Sequence, residues 1–204
     1  NPISSVEGVF VYGNYSGIRA APGDYKARLS YKGEQKSVAF SVLPNPNLTT
    51  TKDDFDKQQA LLKQIENAIK NVHESVIKMR RVQKQLSHYQ EILKGYKIYS
   101  SLLEKAKNID KKLKSWEQNL IQPNQKTFQD VINFNNKLNA EWMYLKDFVD
   151  AEDPKVTQGA LDRHKDLENE WMFQKEVLKQ IIEEDFKAFE EEFNAKEVPS
   201  LIYS

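Results

Sequence analysis

The side chains able to do acid–base, metal or nucleophilic chemistry are few and scattered along this chain. It has three histidines, His73, His88 and His164, and no cysteine. Without cysteine there is no thiolate nucleophile, no Cys-ligated metal and no disulfide. The histidines share no ligand spacing, and neither an HExxH run nor the Glu-x-x-His pairs of a di-iron bundle occurs. His164 and Glu168 stand four apart, on one face of a helix, and read as a boundary histidine beside a solvated carboxylate. The runs Glu183-Glu184-Asp185 and Glu190-Glu191-Glu192 place carboxylates side by side in sequence. Neighbouring helical positions diverge by ~100°, so these do not converge on a substrate and read as the wet face of the last helix.

The basic run Lys78, Arg80, Arg81, Lys84 is interrupted by Met79 and Val82 at core positions, which marks an exposed charged face. Trp116, Trp142 and Trp171 all fall on apolar stripes and read as core. Gly-x-Gly-x-x-Gly is absent. Asn14-Tyr15-Ser16 and Asn47-Leu48-Thr49 match the glycosylation sequon, which matters only in a eukaryotic secretory protein. No catalytic, cofactor-binding or metal-binding residue is assigned, and no cofactor is expected.

Charge points the same way. Thirty Lys and Arg balance thirty Asp and Glu among 204 residues, so no overall field draws the chain to nucleic acid or an anionic membrane. No apolar run approaches the ~20 residues that span a bilayer, and no membrane insertion is expected. The opening "NPISSVEGVF" lacks the basic start and apolar stretch of a signal peptide. An exported parent protein would carry its signal upstream.

The elements that would hold these side chains are of two kinds. Tyr25, Ala27, Leu29 and Tyr31 alternate with Lys26, Arg28, Ser30 and Lys32, the signature of a half-buried antiparallel strand. Pro22-Gly23 supplies a turn before it, Lys32-Gly33-Glu34 a turn after it, and Val38, Phe40 and Val42 share one face of the return strand. Residues Val6 to Tyr12 suggest a weaker third strand. A sheet this small is marginal alone. Pro44-Asn45-Pro46 ends it, and Thr51 with Asp54 forms a capping box that starts a helix near residue 51.

The helical stripes then run Leu62, Ile65, Ile69, Val72, Val76, Met79, Leu86 and Leu93, with Gly95 as a stop. A second runs Leu102, Ala106, Ile109, Leu113, Trp116 and Leu120. Leu138, Trp142, Leu145 and Phe148 mark a short third helix after a long connection with one helical turn. Leu161, His164, Leu167, Trp171, Leu178, Ile181 or Ile182, Phe186, Phe189 and Phe193 mark the last. The expected fold is mainly α: an antiparallel up-down bundle of three long helices and one short one, preceded by a small antiparallel hairpin. The division is a partial β module over 1–47 and a bundle over 48–204, whose apolar tail docks rather than frays.

This order of pieces resembles the C-terminal region of exported Bacteroidetes proteins with a sortilin-type, BNR-repeat β-propeller, often labelled glycosyl hydrolases. The Pro22, Gly23, Tyr25, Leu29 and Gly33 pattern is similar to a strand pair that closes an immunoglobulin-like module in that family. Phe134 and Leu138 match its middle segment, and Phe193, Asn194 and Pro199 its tail. Asn45-Pro46 stands where the family tends to have Asp-Pro. The resemblance implies a partial immunoglobulin-like sheet, an exported location (periplasmic, cell-surface or secreted), and an upstream propeller or another protein as partner. It implies a non-catalytic structural or interaction region. The alternative it leaves open is an accessory domain of a glycoside hydrolase whose active site lies on the propeller.

Overall fold

The computed structural model describes residues 3–198. One antiparallel hairpin, β1 (Gly23–Tyr31) and β2 (Glu34–Val42), precedes a mainly α bundle. α1 spans Lys52–Leu93, α2 Ser100–Leu120, α3 Leu138–Val149 and α4 Gln158–Gln180. A π-helical turn at Ile181–Phe186 joins α4 to α5 (Lys187–Ala195) without a break. Three long helical stretches and one short one are therefore present, as the stripes predict.

The capping box at the start of α1 is as the sequence predicts. Thr51 Oγ1 accepts from the Asp54 amide at 3.2 Å, while the Asp54 carboxylate accepts from the Thr51 amide at 2.8 Å. At the other end Gly95 takes φ +99°, a left-handed turn that L side chains resist, and the chain reverses into α2. Every residue named on the α1 stripe is buried, from Leu62 to Leu93. At 1.5 Å per residue α1 is about 63 Å long, and no other helix matches it alone. Instead α2 and α3 lie in tandem against it. Arg80 meets Glu117 and Gln83 meets Asp110 along its second half, while Gln58 reaches the Val149 and Ala151 carbonyls at its start. The third leg, α4 to α5, returns antiparallel to both: Arg163 pairs with Glu141, Lys112 with Asp185 and Lys105 with Glu192.

The π turn has a sequence cause. Core-facing positions on the last leg step from Trp171 to Gln174 and Ile181, then to Phe186, Phe189 and Phe193. The step of five between Ile181 and Phe186 exceeds what an α-helix keeps on one face; one wider turn restores the phase. Ile181 is accordingly buried and Ile182 is not.

Three expectations are corrected. Residues 6–12 form no strand; Ile3, Val6 and Val11 are buried in the bundle core, so the N-terminal segment is a strap on the helices rather than part of a β module. The strap covers the seam where α2 gives way to α3. Phe148 and Leu161 point to solvent, and their neighbours Val149 and Ala160 occupy the core. The hairpin is not half-buried: both its faces are exposed. The connection between α2 and α3 does contain one short helical turn, at Phe128–Ile132. Of the tail expected to dock, 193–204, Phe193 and Val198 pack against the core, and 199–204 lie outside the described residues.

Candidate interaction surface

The hairpin is built by local rules. Lys32 at φ +47° and Gly33 at φ +86° form a two-residue type I′ loop, whose twist matches that of paired strands. The register then follows: Tyr31 opposite Glu34, Leu29 opposite Lys36, Ala27 opposite Val38, Tyr25 opposite Phe40. Because side chains alternate, Tyr25, Ala27, Leu29, Tyr31, Val38 and Phe40 all project from one face. The Tyr25 and Phe40 rings stack at 5.8 Å. The other face is polar, with Ser41 donating to Asp24 at 2.6 Å and Lys26 and Arg28 beyond.

An apolar sheet face normally meets a second layer. Here nothing in the described chain covers it: Leu29 is 71% exposed, Tyr31 68% and Val38 62%. The hairpin is held to the bundle at its base, where Asn45 donates to Glu152 at 2.6 Å; Tyr25 Oη donates back to the Ala21 carbonyl just ahead of β1 at 2.6 Å. Pro44 and Pro46 flank that base.

The titratable residues singled out in the sequence do not assemble. His73 is buried with Nδ1 2.8 Å from the Ser4 carbonyl. A carbonyl only accepts, so Nδ1 carries the proton. Burial pushes His73 below its ordinary value, and the Ser4 bond opposes this in part. His164 packs edge-on to Trp142 at 5.4 Å, and His88 lies beside Tyr89. Trp116, Trp142 and Trp171 are buried, and Trp116 Nε1 donates to the Gln174 carbonyl at 2.9 Å. Among the described residues no group of three His, Asp or Glu side chains could hold a metal ion. Likewise no helix among them is long and apolar enough to cross a membrane.

Three charged side chains expected in solvent are used structurally. Arg80 donates through Nη2 to Glu117 at 2.7 Å and through Nη1 to the Glu7 carbonyl at 2.6 Å, which ties the strap to α1. Asp185 and Glu192, in the acidic runs, bind Lys112 and Lys105 of α2. The Lys105 and Ser101 hydrogen bonds hold the Glu192 carboxyl below its usual range.

Lys146 carried no signal in the sequence, because a lysine on a short helix reads as exposed. It is fully buried, and its Nζ donates to the Asn14 and Ser16 carbonyls at 3.0 Å each. Nearby Asp150 is buried, and desolvation raises its carboxyl despite the attraction of Arg19 and Lys146. Both groups hold the strap. A groove of about 360 Å³ between α1 and the last leg is lined by Leu86, Tyr89, Ile109, Phe186, Phe189 and Phe193. It brings one carboxylate, Glu190, to its wall, without a nucleophile or base beside it. The hairpin remains the feature that the bundle itself does not use. No protein-family model, curated protein or solved structure matches the chain.

Proposed function

We propose that this chain is a non-catalytic structural and interaction region of an exported multidomain protein, packing through its hairpin on an upstream β-propeller domain or on another protein. The observation that carries this reading is the apolar hairpin face, uncovered and attached to the bundle only at its base. Covering a large apolar side chain is worth about 1.5–3 kcal/mol. Five such side chains, Tyr25, Leu29, Tyr31, Val38 and Phe40, therefore offer a substantial drive for a second layer to dock. The bundle acts as the rigid mount. No residue is assigned to catalysis, and the chain alone is expected to be inert in glycosidase assays.

Amide hydrogen exchange over 23–42 tests the reading, measured on this chain alone and on a longer polypeptide carrying the upstream domain. Protection of the hairpin amides in the longer polypeptide alone supports it. Equally fast exchange in both would show that no second layer docks there.

A further inference from the structure

The two outer edges of the hairpin are chemically unequal. On β1, Asp24, Lys26 and Arg28 line the edge, with Pro22 just before it. Charges and proline are the usual guards against strand addition. On β2 the six residues Ser37-Val38-Ala39-Phe40-Ser41-Val42 hold no charge, no proline and no glycine. Such a stretch is an open template for another strand. The type I′ loop fixes which groups are free. Tyr31 and Glu34 close the hairpin as a hydrogen-bonded pair, so every second rung bonds inward. The Gln35, Ser37, Ala39 and Ser41 amides and carbonyls therefore point away from β1.

From this we infer that β2 pairs with β2 of a second copy of this chain, antiparallel about Ala39, to give a four-stranded sheet. The edge of β2 is self-complementary. With Ala39 opposite its own copy, Ser37 meets Ser41, Val38 meets Phe40 and Lys36 meets Val42, with no like charges opposed. Val38 and Phe40 form two aromatic–aliphatic cross-strand pairs on the apolar face. The same operation on β1 about Lys26 opposes two lysines, and about Arg28 two arginines. Each strand is ~30 Å long, and a single paired edge buries much less than the ~1,600 Å² of a stable interface. The self-association is accordingly weak and concentration-dependent. It uses the edge, whereas the domain contact proposed above uses the face, so either can fail without the other.

The test is sedimentation velocity of the 204-residue chain from about 10 µM to about 1 mM, together with two proline variants on one rung. Lys26 and Ala39 are directly opposite, and each turns its amide outward, so proline at either removes an edge donor without removing a β1–β2 hydrogen bond. The wild-type mass is expected to rise toward twice the monomer. Ala39→Pro is expected to stay monomeric throughout, and Lys26→Pro to associate like the wild type, with all three retaining the same helical melt. A wild type that is monomeric at every concentration overturns the proposal. So does association that survives Ala39→Pro, or that Lys26→Pro abolishes equally.

Discussion

Replacing Lys146 with methionine keeps an unbranched chain, one atom shorter, and removes its three donors. In the native protein the ammonium is wholly buried and bridges two carbonyls of the strap, Asn14 and Ser16, at 3.0 Å. A hydrogen bond to a charged group contributes about 1.5–3 kcal/mol net. Against the loss of two stands the removal of the ammonium's desolvation cost, which offsets part of it. Asn14 and Ser16 lie near the surface, so their freed carbonyls recover water. The expected net loss is about 2–3 kcal/mol, which for a chain of this size lowers Tm by about 4–12 °C. The loss should be local as well as global. Amide exchange at Ile3, which bonds to the Tyr15 carbonyl at 3.0 Å, should accelerate before that of the α1 core. A Tm within about 1 °C of wild type, with Ile3 exchange unchanged, would refute the clasp.

Truncations in the bundle and in the hairpin should differ sharply. Ile69→Ala, at a position with no exposed surface, is expected to cost about 2–5 kcal/mol, whereas Leu29→Ser in the hairpin should stay within about 0.5 kcal/mol; urea denaturation checks both. His73 gives a pH signature. Its folded value lies below its ordinary 6.5, so the unfolded chain takes the proton first. The stability tied to neutral His73 is present above pH 6.5 and is lost as pH falls through the folded value. His73→Gln should flatten that part of the stability–pH curve, as followed by melting across the acid range. Asp150, raised by burial, acts in the opposite sense, its contribution fading as pH rises through its folded value.

The helices were legible because one rule dominates them. A side chain every three or four residues along α1 must be apolar to reach α2, α3 or the last leg, and Leu62 through Leu93 obey that spacing. The π turn was written in the step from Ile181 to Phe186, yet the doubled Ile181-Ile182 left two phases open until packing chose one. The hairpin's register was equally local, set by Lys32-Gly33 and the alternation around it. Whether its apolar face is covered is not local: the same Tyr25-to-Tyr31 pattern serves a strand under a second layer or a strand awaiting one. The strap was misread for a related reason. Ile3, Val6 and Val11 follow neither helical nor strand spacing, and their burial depends on Lys146, Arg80 and His73, distant residues whose types suggest solvent. Long-range hydrogen bonds to backbone carbonyls leave no periodic trace.

The hairpin, mounted on the bundle for a partner in the function proposed above, is expected to contribute little to holding the bundle together. Joining Gly23 directly to Val42, which are already neighbours across the sheet, excises 24–41 and leaves the strap and the Asn45–Glu152 tie in place. Thermal melting of this shortened chain beside the full one is the most direct test. The same cooperative helical melt is expected, with Tm shifted by no more than about 3 °C. A collapse of the melt, or loss of the folded bundle, would contradict it and make the hairpin part of the core architecture.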